Sequence, residues 1–349
     1  MPIVEYTPAR FDDLKEMVRQ IPGQINLAHR PFVDYYYASR EWCKLYLYIS
    51  DSGKIIGTLG RELLHFTHNS HELTIRILSN WYSRRRGVGG ELYQYSAEAN
   101  PDSTGLMFLA SRDALRILRH YNWIFVPRIR SYFLNYPGST QAGDPWWRSA
   151  SKFVISRLSR KRISTFASHL RARSAAEITV REEKEYSDDL LPSRSPFDFR
   201  FAPTIDYLKW RYNLSLPFIC YRLFRLIVRG KNAGYVILSD SPNKIAVAQC
   251  DGEYPSALAY GILLSILKIS HDDLGPRAVF LVCCHPEMER IFHKFGFWRR
   301  WGADVPFAFR TQPAGLELAT GPSNWLINFD WGDNGFAAAI GQSENDGRS

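Results

Sequence analysis

The chain has no apolar run near the roughly 20 residues that a membrane-spanning helix needs. Cysteine is scarce: Cys43, Cys220, Cys250, Cys283 and Cys284 are odd in number and none is in CxxC spacing. That excludes a disulfide framework and a thiolate zinc site, so the five read as reduced core residues and no metal is expected. The start, Met1-Pro2-Ile3-Val4-Glu5-Tyr6, lacks the basic-then-apolar layout of a secretion signal, and a cytoplasmic location is the expectation. Acids are outnumbered, 35 against 44 Lys and Arg, for a net charge of +9. Such a surface suits a polyanion: nucleic acid, anionic lipid or a phosphate-bearing ligand. No nucleic-acid recognition motif accompanies the charge, so nucleic acid is not expected among the partners.

What is present is the composition of a globular protein, 45% hydrophobic and 23% charged over 349 residues, long enough for two domains. The two halves repeat one another. Asp34-Tyr35-Tyr36 and Asp206-Tyr207-Leu208 each precede a strand-like run, at 44–49 and 221–228. A turn and a Gly-led strand follow, from Gly57 and Gly234. Later, 106–109 runs into Ser111-Arg112-Asp113, as 279–282 runs into His285-Pro286-Glu287. The pairs Asp34/Asp206, Gly57/Gly234 and Trp123/Phe297 are 172, 177 and 174 residues apart, a near-constant offset that argues for duplication.

Domains are therefore expected at 1–136 and 179–312, joined by a linker at 137–178 and followed by an extension at 313–349. The linker carries eight Lys or Arg and no acid between Trp146 and Arg173. Its apolar residues fall near one helical face, which predicts an amphipathic helix. That helix could lie on an anionic membrane or pack on the second unit with its charges in water.

In the first unit the spacing predicts the order β-α-α-β-β-β, a basic glycine loop, then α-β-α-β. This is an α/β (α+β) architecture with a mixed, mostly antiparallel sheet. The loop is Arg84-Arg85-Arg86-Gly87-Val88-Gly89-Gly90. Between a strand and a helix it can aim backbone N–H groups at an anion at the positive end of the helix dipole. It ends without the Gly-Lys-Ser/Thr of a P-loop, and GxGxxG is incomplete. A solvated basic turn is the plain alternative.

Arg84, Gly87 and Gly89 match in type and order the Arg/Gln-x-x-Gly-x-Gly/Ala signature of the GNAT N-acetyltransferase superfamily, which the chain resembles. The resemblance implies two tandem GNAT-like units. It implies that the loop amides of residues 84–90 hold the pyrophosphate of acetyl-CoA or another acyl-CoA, and that Leu78 and Ser79 offer backbone to pantetheine. It also implies that an amide near 78–80 faces the thioester oxygen. Ser111, Ala114 and Asn122-Trp123 echo a second family segment, which puts Ser111 among the cofactor residues. The family's tyrosine, a proton donor to the leaving thiolate, falls on Leu118 here and on Phe292 in the second unit. Tyr121 and Tyr132 are substitutes. The base expected for the amine is Glu72, then His71. In the second unit the loop position reads Cys250-Asp251-Gly252-Glu253-Tyr254-Pro255. Its two acids would repel a pyrophosphate, so that unit is expected to be degenerate.

The expectation is acyl transfer from CoA to an amine of a small molecule, sugar or peptide. A longer-chain or carrier-protein-bound donor, and a non-catalytic binding module, are the alternatives.

Overall fold

A computed structural model of the chain describes residues 2–19, 21, 26–108, 111–134, 177–242, 244–270, 277–299, 305–310, 322–328 and 330–331. The expected linker helix within 146–173 and the tail beyond 332 lie outside them. In chain order the elements are β1 Ile3–Glu5, α1 Phe11–Val18, α2 Arg30–Ala38, β2 Cys43–Ile49, β3 Ile55–His68, β4 His71–Ser83, α3 Val88–Glu98, β5 Thr104–Phe108, α4 Arg112–His120, β6 Ile124–Phe125 and β7 Arg130–Leu134. There follow β8 Ile178–Glu183, β9 Phe199–Phe201, α5 Ile205–Arg211, β10 Tyr221–Val228, β11 Lys231–Ser241, β12 Lys244–Gly252, α6 Pro255–Ser270, β13 Ala278–Cys283, α7 Pro286–Lys294, β14 Trp298–Arg299, β15 Phe307–Phe309 and β16 Trp325–Leu326.

These elements form two compact units. The sheet of unit 1 runs β1-β2-β3-β4-β5-β15-β6, and that of unit 2 runs β8-β10-β11-β12-β13-β7-β14. Position by position the two orders are the same. Along these two paths every pair is antiparallel except at one central joint, where β4 runs parallel to β5 and β12 parallel to β13. The expected pair of GNAT-like units is present.

One strand in each sheet comes from the other half of the sequence. β7, inside the expected 1–136 domain, pairs with β13 and β14. β15, inside the expected 179–312 domain, pairs with β5 and β6. The last strand of the order expected for the first unit is therefore two strands, β6 and β7, in two sheets. The chain turns between them at Pro127-Arg128, where Arg128 has φ 67°.

The β3–β4 hairpin is long, with strands of 14 and 13 residues. β3 continues to His68, and β4 starts at His71 after a two-residue turn in which Asn69 and Ser70 have φ 48° and 69°. Positive φ at both positions is the geometry that matches the twist of paired strands.

One face of the unit 1 sheet is covered by α3 and α4. Val88, Leu92, Tyr93 and Leu118 pack there on Tyr46, Leu59, Leu78 and Met107. In unit 2, α6 buries Leu258, Ile262 and Ile266 against Phe224, Val236 and Val247. Each such leucine or isoleucine contributes about 1.5–3 kcal/mol by leaving water.

Candidate active site

Two irregularities in β4 create the site in unit 1. The first is a bulge. Thr58 on β3 faces Tyr82 on β4, but Gly60 faces Ser79, so β4 spends one extra residue. Asn80 takes up that excess at φ 46°, and Thr58 Oγ1 donates to its carbonyl at 2.8 Å. The bulge turns Ser79 and Asn80 to the same face, towards α2. There Asn80 Nδ2 donates to the Tyr37 hydroxyl at 2.7 Å, and that hydroxyl is 3.3 Å from Ser79 Oγ. Gly60 makes this possible: a Cβ on it would lie 2.6 Å from Ser79 Oγ and 2.7 Å from the Tyr37 hydroxyl.

The second irregularity is a parting of strands. β4 and β5 pair from Ile75/Thr104 to Ile77/Leu106 and no further among the described residues. From Leu78 onward the β4 backbone lies along an opening, beside the bulge.

β4 leads on to the basic loop. Arg84, Arg85 and Arg86 are exposed. Gly87 is the N-cap of α3 at φ 92°, ψ −37°, with no atom within 4 Å of where a Cβ would be. Its carbonyl accepts from the amides of Gly90 and Glu91, at 2.9 and 3.1 Å. The amides before them are first-turn donors without an acceptor inside the helix. An open glycine, first-turn amides and exposed guanidinium groups suit a phosphate, and this arrangement fits the pyrophosphate that the resemblance implies. Gly89 and Gly90 are small for a different reason. A Cβ at Gly89 would lie 3.2 Å from Trp81 Nε1, which donates to the Gly89 carbonyl at 3.0 Å. One at Gly90 would lie 2.9 Å from the Tyr121 hydroxyl. The buried Val88 fits tightly on Gly57 of β3.

Leu78 and Ser79 lie on β4, and residues 84–90 form the loop and the helix start that follow it. Tyr121, the C-cap of α4, places its hydroxyl beside Gly90 of the loop, and its ring is tilted against Tyr93 at 5.2 Å. Ser111 is the N-cap of α4, and its hydroxyl accepts from the Ala114 amide. Leu118 is fully buried in the core. Tyr132 is in unit 2, donating to Glu289 at 2.8 Å. Glu72 and His71 are not brought to the site. They are exposed at the hairpin end of β4. Six residues of strand separate Glu72 from Leu78, about 20 Å. A carboxylate on the bulge's own face is Glu62, buried opposite Ile77 and one pleat from Gly60. Sequence reasoning missed Tyr37, Glu62 and Asn80. Their one sequence signal is Gly60, a glycine inside a strand. Among the described residues His65, His68 and His71 belong to no metal-binding group.

In unit 2 the corresponding joint also parts, after Ala246/Phe280. Residues 325–328 sit in that opening. Asn328 accepts from Cys250 Sγ at 3.2 Å and donates to the Cys250 carbonyl at 3.3 Å. The Trp325 carbonyl accepts from Cys284 Sγ at 3.3 Å. At the loop position the fully buried Asp251 accepts from Arg200 at 2.6 Å, Ser195 at 3.0 Å and the Gly252 amide at 2.8 Å. Burial raises its pKa to about 6 despite those partners.

No family model and no curated protein matches the chain. Solved structures do. The Saccharomyces cerevisiae N-myristoyltransferase with bound myristoyl-CoA superposes with TM-score 0.56 at 9% identity, over 93% of this chain and 89% of that one. A probable N-acyltransferase of Enterococcus faecalis V583 gives 0.55 at 8% identity, over 88% and 72%. A GCN5-related N-acetyltransferase of Kribbella flavida gives 0.54 at 13%, over 88% and 71%. Similarity at such identities is similarity of fold, and the fold of this chain is that of the GCN5-related N-acetyltransferases, present twice.

Proposed function

We propose that unit 1 binds an acyl-CoA and transfers its acyl group, acetyl in the simplest case, to a primary amine. One observation carries this reading. The phosphate-suited turn at Gly87, the parted β4 and β5, and the Asn80 bulge lie in line on one strand and the helix that follows it. Pyrophosphate would be held by the first-turn amides of α3 and the guanidinium groups of 84–86, and pantetheine by the β4 backbone from Leu78. When bound, the thioester supplies an activated carbonyl and a thiol leaving group.

The chain's own residues do the rest. The bulge, fixed by Tyr37 and Thr58, aims a β4 amide at the carbonyl oxygen, where negative charge develops. The amine must attack unprotonated. We assign its proton to Glu62, in place of the distant Glu72, with Ser79 and Tyr37 on the same face. As the C–N bond forms and the C–S bond breaks, the amine's proton is the one that ends on sulfur. Unit 2 is read as lacking a cofactor site. Its opening holds residues 325–328, and Asp251 and Glu253 stand where phosphate would go. The non-catalytic alternative rests on Leu118, which is core where the family has its tyrosine. Thiol release from acetyl-CoA with small-molecule, aminosugar and peptide amines tests the reading. Release with no amine of any class favours the non-catalytic module or a carrier-bound donor.

A further inference from the structure

The α3-covered face of the unit 1 sheet carries a row of charge that acyl transfer does not use. Arg61 on β3 lies opposite Leu78 on β4, and Arg76 is two residues before Leu78 on the same face. The two arginines are therefore diagonal neighbours, with Cα atoms about 7–8 Å apart. Both are buried, at 7% and 2% exposure. Arg61 donates to the Glu41 carbonyl and the Tyr46 hydroxyl, at 3.2 and 3.5 Å. Arg76 donates to the Ser96 and Asn100 carbonyls at the end of α3, at 2.8 and 3.5 Å. Neither meets a carboxylate among the described residues.

Four buried polar atoms here have no hydrogen-bond partner: Nε of Arg61, Nε of Arg76, the Tyr93 hydroxyl and Ser96 Oγ. All four can donate. The α3 carbonyls offset part of the charge of Arg76. Arg61 has a carbonyl and a hydroxyl as its partners among the described residues, and Arg310 adds a third positive charge acting on Arg76. Burial presses the pKa of Arg76 down, and Arg61 and Arg310 push it the same way. Uncompensated like charges side by side in a protein interior cost several kcal/mol.

We propose that unit 1 binds a small inorganic anion, a halide or a single tetrahedral oxyanion, between Arg61 and Arg76 under the C-terminal half of α3. The two Nε–H groups and the Tyr93 and Ser96 hydroxyls are its donors. The site is separate from the cofactor loop: Ser96 lies nine residues along α3 from Gly87, about 13 Å. The anion ties the far end of that helix to the sheet.

Crystals of the full chain soaked in sodium bromide or sodium selenate give the direct test by anomalous scattering. A peak within hydrogen-bond reach of both guanidinium groups is expected, and the soak that produces it names the anion class. No peak there in either soak overturns the proposal, leaving water as the occupant. In solution, chloride or sulfate should raise the unfolding midpoint saturably above sodium gluconate at matched ionic strength. Arg76→Gln should lose that difference. A midpoint indifferent to the anion in the wild-type chain also counts against the site.

Discussion

Gly87→Ala isolates the backbone of the cofactor loop. Gly87 has φ 92° and ψ −37° and open space around its missing side chain, so the added methyl meets no neighbour. The only effect is strain, about 1–3 kcal/mol for an L residue in such a conformation. Taking about 2 kcal/mol, the strain has two places to appear. If the loop keeps its shape, unit 1 loses that much stability, a midpoint drop of about 4–8 °C for a unit of this size. If the loop relaxes, binding must restore it, and the Kd for acetyl-CoA rises roughly 30-fold. The two losses should sum to about the same total. Gly53, in the β2–β3 turn, is the control, with φ 79° and equally open space. Gly53→Ala should lose stability and leave the Kd unchanged. Scanning calorimetry and titration calorimetry on both variants provide the assay. Wild-type stability together with wild-type affinity in Gly87→Ala would refute the reasoning.

Three further outcomes follow from the geometry. Tyr37→Phe leaves the buried Asn80 Nδ2 without its 2.7 Å acceptor, which should cost about 1–3 kcal/mol. Turnover should fall while CoA affinity stays within about twofold, and an unchanged kcat would remove the bulge network from the mechanism. Glu62→Gln should lower kcat at neutral pH and flatten its acid limb, whereas Glu72→Gln should change neither; the reverse pattern in a pH–rate profile would restore Glu72 as the base. Asp251 has its pKa raised from 3.8 to about 6 by burial. The folded state therefore holds a proton that the unfolded state has lost across that window. Stability falls as pH rises from 3.8 to about 6, by about 3 kcal/mol from this group, and is flat above it. Asp251→Asn should remove the slope in denaturant titrations between those pH values, and a slope that survives would place its source elsewhere.

Much of the architecture was legible because it repeats: Gly57/Gly234 and Trp123/Phe297 keep their spacing since each marks the same place in the same unit. The exchange of β7 and β15 was not legible. A short apolar segment such as Phe307-Ala308-Phe309 carries a strand's pattern but no mark of which sheet it joins. The loop could be read because Arg84, Gly87 and Gly89 combine charge with a backbone need. Even so, the need at Gly89 and Gly90 includes room for Trp81 and Tyr121, which only the fold reveals. Glu72 was the base that the resemblance implied, and Asn69-Ser70 has no glycine to announce the tight turn that puts it at a hairpin end. With both strands at full length, Glu72 is at the wrong end, and Glu62 is on the face of the bulge. The bulge hangs on one left-handed residue, Asn80, too local for any periodicity to reveal.

The central claim is a single acyl-CoA site, in unit 1. Titration calorimetry of the full chain with acetyl-CoA tests it most directly, alongside Gly87→Ala and Asp251→Asn. The account predicts one equivalent bound per chain, weakened by the first substitution and untouched by the second. Two equivalents, no binding, or loss of the site in Asp251→Asn would contradict it.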